Sequence, residues 1–260
     1  MIDIDDLEAK LLGEPEFDCP VTHRFGPGVY IREVLMPKGA YIIGHRHKTT
    51  HVNIMLTGVL GLLNDDGTET LMRAPQTFVA QPGRKMAFIY EDVIWQNVHA
   101  TDETDVEKLE EMFLDMTPAF LEHHRPKMTN QSDDVDDFHA ATADVDQLAL
   151  REAFDVEPIP FPAGDYKVQT APSPIEGKGL FATAAFAPNE LIAPARLDGR
   201  WTLAGRYMNH AKTPNAELFE DNGDLYLFAT KEIGGKKGGG LGEEITIDYR
   251  QVLTLAKRRS

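Results

Sequence analysis

The sequence predicts a mainly β protein built as two domains joined by an acidic, partly helical linker. Three observations predict it. Residues 25–100 carry short apolar runs separated by turn residues at regular spacing, residues 127–165 turn polar and acidic, and short strand-like runs return from Tyr166 to about Leu255. The boundaries read from this pattern are 1–126, 127–165 and 166–260. A chain of 260 residues is long enough for two ordinary domains. Its 42% hydrophobic and 26% charged content are those of a soluble globular protein.

The elements follow in order. Val29-Tyr30-Ile31-Arg32-Glu33-Val34-Leu35-Met36 partly alternates and reads as a strand; Pro37-Lys38-Gly39 then breaks it. Asn53 to Leu62 is a longer apolar run, bounded by Leu63-Asn64-Asp65-Asp66-Gly67, and Gln81-Pro82-Gly83 marks a further turn. Together these predict a β-barrel or sandwich. A helix is expected after it, capped by Thr104 with Glu107 completing a capping box, and with Val106, Leu109, Met112 and Phe113 on one face. A short helical turn is expected through Ala119-Phe120-Leu121-Glu122, ending before Pro126. In the linker, the acidic run 130–137 is followed by a helix over 143–154, where Val145, Leu148, Leu150 and Phe154 form a partial apolar face. The Gly-rich residues 234–240 read as a mobile hairpin tip.

Charge bounds the partners. The formal net charge of −16 repels nucleic acid, and the basic clusters Lys236-Lys237 and Lys257-Arg258-Arg259 are small and lack interleaved aromatics. No nucleic-acid partner is expected. An acidic body suits a lysine-rich protein segment, and it equally serves solubility alone. No run approaches a membrane span, and the acidic start is not that of a signal peptide. The single cysteine, Cys19, excludes an intrachain disulfide and a cysteine-based zinc cluster. The expected compartment is the cytoplasm, of a cell or of an infected host.

Three patterns stand in a fixed order near the end of the chain: Gly177-Lys178-Gly179-Leu180-Phe181-Ala182, Arg206-Tyr207-Met208-Asn209-His210-Ala211, and Gly242-Glu243-Glu244-Ile245-Thr246-Ile247-Asp248-Tyr249. Each is weak alone. Gly177-Lys178-Gly179 is commonly just a turn, His210 alone reads as a hydrogen-bonded core histidine, and Tyr249 alone reads as a strand aromatic. Together and in this order they resemble the SET domain of protein lysine methyltransferases, of the compact kind encoded by viruses, phages and bacteria. That resemblance implies S-adenosylmethionine as cofactor, held by Gly177, Lys178, Gly179, Leu180, Arg206, Asn209 and His210. It implies Tyr249 as the catalytic tyrosine, and Tyr207 as a residue lining the channel of the target lysine. Pro214-Asn215-Ala216 and residues 225–233 continue the match. The chain departs from the family at Ala211, where a serine is usual, in its short insert before Arg206, and in lacking a Cys-rich segment after Tyr249. The target does not transfer with the resemblance.

The second constellation is Gly44-His45-Arg46-His47-Lys48-Thr49-Thr50-His51. His45, His47 and His51 share parity, so one extended strand would project all three from one face, as a candidate site for a divalent transition metal. The other reading is a polar barrel interior, or a cluster near a trimer axis, with no ion. The pattern resembles the first cupin motif, with His51 where a glutamate is usual. Pro82-Gly83 resembles the second motif, with Met86 near its histidine position. His99 is a candidate fourth ligand. Cupin-like barrels imply dimers or trimers, so a homo-oligomer is expected. Two functions follow: a lysine methyltransferase acting on a lysine-containing protein, with the cupin-like domain docking the target or oligomerising the chain; or a virion-associated assembly protein keeping a SET-like module without catalysis.

Overall fold

The structure is a computed structural model that describes residues 4–12, 14–64, 67–124 and 156–252. The expected linker helix over 143–154, the acidic run 130–137 and the basic tail lie outside the described residues. The chain divides into two compact units. In their described parts, one comprises Met1–Arg125 with Ala163–Lys167 and Gly235–Leu241; the other comprises Pro126–Pro162, Val168–Gly234 and Gly242–Ser260. The boundary read from sequence is therefore displaced in two places. Gly164-Asp165-Tyr166 is a strand of the first unit, and the Gly-rich residues 235–241 also belong there.

In the first unit, helix α1 (Ile4–Leu11) precedes the strands β1 (Val21–Gly26), β2 (Val29–Met36), β3 (Tyr41–Ile43), β4 (Arg46–His47), β5 (His51–Leu63), β6 (Glu69–Arg73), β7 (Gln76–Ala80) and β8 (Met86–His99). Then come α2 (Val106–Phe113), β9 (Leu114–Asp115), α3 (Pro118–His123) and β10 (Gly164–Tyr166). The main sheet has the order β10-β1-β2-β8-β5-β6, with β3 also on β8 and β7 also on β5. The two long strands each change partner midway. β8 pairs β3 through Met86–Phe88 and β2 through Val93–His99, while β5 pairs β7 at its start and β6 at its end. The β5–β8 register slips between Met55 and Leu60 around Gly58, whose φ of +87° and contact with the Asp92 carbonyl leave no room for a side chain. The bent sheet closes over Met36, Ala40, Met55, Leu60, Met72, Ala87, Ile89 and Val93, with Val34 and Trp95 packed beside them.

Helix α2 is capped one residue later than the sequence predicts. Asp105 rather than Thr104 accepts the Glu107 N–H, and Glu103 Oε1 takes the N–H groups of Thr104 and Asp105. Thr117 caps α3, where a short helical turn was expected. β10 joins β1 through His23↔Tyr166 and Phe25↔Gly164, reinforced by an Arg24–Asp165 ion pair. The Gly-rich segment is packed rather than mobile. Lys236 is only 5% exposed and reaches Glu110 at 3.8 Å, Gly238 donates to the Phe17 carbonyl at 3.1 Å, and Gly239 leaves room for the Phe120 ring.

The second unit contains β11 (Val168–Pro172), β12 (Lys178–Ala182), β13 (Leu191–Leu197), β14 (Arg200–Trp201), the short helix α4 (Leu203–Arg206), β15 (Asn209–His210), β16 (Ala216–Asp221), β17 (Asp224–Ala229) and β18 (Glu244–Ile247). They form two four-stranded sheets, β11-β12-β18-β15 and β14-β13-β17-β16. Leu180, Ala182, Phe186, Ala195, Leu225, Leu227, Ile233, Ile245 and Ile247 are almost fully buried. No helix among the described residues is long and apolar enough to cross a membrane.

Candidate functional site

In the second unit the three ordered motifs meet in one sheet. β12 pairs antiparallel with β18 through Leu180↔Ile245 and Phe181↔Glu244. β15 runs parallel to β18 through Asn209↔Thr246 and His210↔Ile247. A parallel pair needs a long crossover, here the β16–β17 hairpin and residues 230–243. Asn215 pins the join: its amide donates to the Glu244 carbonyl at 2.8 Å, and its Oδ1 accepts the Thr246 N–H at 2.8 Å.

Asn209 sits at the centre of a buried polar knot. Its amide nitrogen lies 2.7 Å from Glu244 Oε1, 3.0 Å from Ser173 Oγ, 3.1 Å from the Glu176 carbonyl and 3.2 Å from the Lys178 carbonyl. Ser173 Oγ also lies 2.8 and 2.9 Å from the two Glu244 oxygens. Burial pushes the Glu244 carboxyl above its ordinary range, against the opposing effect of its bonds to Asn209 and Ser173. Asn209 thus holds the 176–178 turn as well as the strand. Within that turn the two glycines differ. Gly177 has φ +53°, and a Cβ there would meet nothing within 4 Å. At Gly179 the Glu244 carboxylate occupies the space a side chain would fill. Gly179 is therefore required for the close approach of Glu244, and the backbone with open space beside it is at Gly177. Leu180 is fully buried in the sheet.

His210 is 4% exposed, and its Nδ1 accepts the backbone N–H of Tyr249 at 3.2 Å. The neutral ring then carries its proton on Nε2. The two rings lie 5.4 Å apart. Tyr249 donates its hydroxyl to the Met208 carbonyl at 2.8 Å, and burial, then the nearby Glu176 charge, pushes that hydroxyl well above its ordinary range. Two cations approach the Tyr207 ring: Lys178 Nζ at 5.8 Å and the Arg206 guanidinium at 5.5 Å from its centroid. Arg206 ends α4, whose start is capped by Thr202. Ser173, Asn215 and Glu244 complete this constellation. Glu244 and Asn215 lay within or beside motifs already visible in sequence, whereas Ser173 had no signal.

In the first unit, a cavity of about 300 Å³ opens inside the bent sheet. Its lining includes His45, His47, His51, Arg32, Asn53, Asn97 and Trp95. The histidines do not share one strand. β4 ends at His47, residues 48–50 leave the sheet, and β5 begins at His51. His45 packs edge-on against Phe120, with ring centroids 4.6 Å apart. His47 stacks on His51 at 4.0 Å, and His51 stacks on His99 at 5.2 Å. Among the described residues, the one group of three whose ligand atoms all lie within 4.8 Å of one another is Glu16, His123 and His124. No three of His45, His47, His51 and His99 form such a group.

Three of the rings, those of His45, His47 and His99, are neutral at neutral pH. Burial first, then neighbouring charges that include Arg32, lowers His45 and His47 to about 3 and His99 to about 4. His51 Nδ1 is 3.0 Å from the Thr49 carbonyl, while the Nδ1 atoms of His45 and His47 are buried with no hydrogen-bond partner among the described residues.

No protein-family model matches the sequence, and no curated protein matches it. Solved structures similar to parts of the chain include a RmlC-like cupin with a double-stranded β-helix fold from Methanocaldococcus jannaschii, at 16% identity over 36% of this chain and 88% of that one, with a TM-score of 0.28. A cupin domain from Bordetella pertussis is 18% identical over 34% of this chain and 99% of that one, with a TM-score of 0.28. An HTH_3 family transcriptional regulator from Vibrio cholerae is 16% identical over 35% of this chain and 58% of that one, with a TM-score of 0.27. At these scores the likeness carries no argument of its own. The mainly β character of the chain stands on its strands.

Proposed function

We propose that the second unit is a SET-type domain that transfers a methyl group from S-adenosylmethionine to a protein lysine. The observation that carries the reading is the convergence of residues 177–180, 206–210 and 242–249 around the parallel β15–β18 pair, three segments far apart in sequence. The open backbone at Gly177 fits a ligand laid against the turn, and Asn209 and His210 stand beside it to hold the ligand's polar parts. When bound, S-adenosylmethionine supplies a methyl group activated by its sulfonium. The remaining work is positioning and desolvation. The target lysine must arrive as a neutral amine, because an ammonium has no lone pair to attack with. Lys178 and Arg206, both against Tyr207, raise the cost of a further cation there and so favour loss of the lysine proton. The Tyr249 hydroxyl stays protonated, anchored by the Met208 carbonyl, and its oxygen is left to orient the amine.

A second reading is a non-catalytic SET-like module in a virion-associated or other assembly protein. It draws on Asn209, whose amide nitrogen has four protein oxygens within 3.2 Å to receive its two N–H donors, and on Gly179, whose free space is filled by Glu244. Calorimetry with S-adenosylmethionine and its demethylated product separates the two. Binding followed by methyl transfer to a panel of lysine-containing peptides supports the enzyme. Failure of the intact protein to bind either compound overturns it. The cupin-like first unit serves oligomerisation or target docking in both readings.

A further inference from the structure

The Arg32 side chain lines the cavity of the first unit and makes no ion pair or hydrogen bond among the described residues. Arg32 has the inward parity of Tyr30, Val34 and Met36 on β2, and it lines the cavity with Val34 and Met36. Its Nε is buried with no hydrogen-bond partner among the described residues. The lining also carries Glu8, Glu14 and Glu16, of which Glu8 pairs with Arg84 and Glu16 with His123 at 3.3 Å; elsewhere in the unit Glu33 pairs with Arg24 at 2.7 Å and Glu110 with Lys236 at 3.8 Å. A half-buried guanidinium with no partner among the described residues is placed to receive an anionic ligand.

The surroundings add recognition groups. Arg32 pairs in register with Asn97, and Asn97 with Asn53, forming a polar rung across β2, β8 and β5. The Asn97 amide donates to Asn53 Oδ1 at 2.7 Å, and both residues line the cavity. The Nδ1 atoms of His45 and His47, without a hydrogen-bond partner among the described residues, belong to residues of the same lining. Trp95, Leu60, Met36 and Met86 supply apolar wall. A volume of about 300 Å³ suits a small molecule.

We propose that this cavity binds a small organic carboxylate, with its anionic head on the Arg32 guanidinium and its apolar body against Trp95, Leu60 and Met36. The planar fork of arginine matches a carboxylate through paired N–H donors. The proposal is independent of the chemistry assigned to the second unit.

The test uses the full-length protein with phenylacetate and hexanoate, each compared with its uncharged amide, by calorimetry and thermal melting. The acids should bind and raise the melting temperature, and the amides should bind roughly 10- to 100-fold more weakly, the loss of a charge-assisted contact. Arg32→Met should lose the same factor for the acids, yet melt no lower than the wild type without ligand, because it removes a half-buried cation that makes no ion pair among the described residues. Arg32→Lys keeps the charge without the fork, should retain intermediate affinity, and decides the matter if Arg32→Met does not fold. Equal binding of acids and amides overturns the proposal. So does absence of any stabilisation by either acid at millimolar concentration, or an Arg32→Met protein that melts lower and binds the acids unchanged.

Discussion

Asn209 and Glu244, 35 residues apart in sequence, meet at 2.7 Å, and that contact joins the turn at Gly177 to the strand that leads to Tyr249. Asn209→Ala should therefore act twice. It leaves a buried carboxylate short of a donor and frees the Glu176 and Lys178 carbonyls, so stability should fall by about 1–3 kcal/mol. Under the proposed function, affinity for S-adenosylmethionine should fall by a comparable amount as the turn loosens. Denaturant unfolding measures the first effect and calorimetry on the folded variant the second. Unchanged affinity in a folded Asn209→Ala protein would remove the cofactor from this turn.

The buried histidines set an acid limit on the first unit. His45, His47 and His99 are lowered to about 3, 3 and 4, and His23 lies well below its ordinary value, all chiefly by burial. The unfolded chain takes up protons near pH 6.5 while the folded state resists them. Stability is therefore fully present above about pH 6.5 and is lost progressively as the pH falls toward the folded values. The melting temperature should be level from pH 7.5 to about pH 6.5 and then fall continuously to pH 4, by on the order of 10 °C. A melting temperature that is flat between pH 7 and pH 5 would contradict the neutral, buried state of these rings. His99→Gln removes one titrating group and should shallow the slope.

Lys236 gives a third expectation. The glycines around it suggest a loose tip, yet its ammonium is buried and 3.8 Å from Glu110. Burial lowers its pKa and the Glu110 charge opposes that shift. Lys236→Met should uncover the Glu110 charge and cost about 1–3 kcal/mol. Residues 235–241 should resist limited proteolysis in the wild type and become cleavable in the variant. Rapid cleavage of that segment in native protein would return it to the mobile hairpin that its composition suggests.

The contrast shows what the sequence carried. Strand β2 was readable to the residue, because alternation and the Pro37-Lys38-Gly39 breaker are local signals. The three C-terminal motifs were readable as an ordered set, and one sheet brings them together with β18 between β12 and β15. Lost from view was everything set by distant neighbours. Gly164-Asp165-Tyr166 joins β1 across more than a hundred residues, and nothing in its own composition says so. The parity of His45, His47 and His51 was real, but parity transmits to one face only along an unbroken strand, and residues 48–50 break it. Arg32 was the missed residue with a signal: a cation at an inward position of an otherwise apolar alternation. Gly179 looked like room for a ligand, although its room belongs to Glu244. A glycine's sequence context cannot say what approaches it.

The strongest test of the proposed chemistry lies at Tyr249. Its hydroxyl is anchored at 2.8 Å to the Met208 carbonyl, and its ring stands 5.4 Å from His210. Tyr249→Phe keeps the ring and removes the oxygen, so the fold should survive with a loss of about 1 kcal/mol for one hydrogen bond. Binding of S-adenosylmethionine should be nearly unchanged, because the turn at Gly177 and the Asn209 knot are untouched. Methyl transfer should fall by roughly 10²-fold, the loss expected when a positioned oxygen no longer orients the attacking amine. Burial holds the hydroxyl protonated through the neutral and mildly alkaline range. Any rise in rate with pH there must report deprotonation of the substrate lysine, so the profile of the variant should keep its shape at a lower rate. A Tyr249→Phe protein that binds the cofactor and transfers methyl at the wild-type rate would strip Tyr249 of this role. A change in the shape of the profile would assign proton transfer to Tyr249 itself.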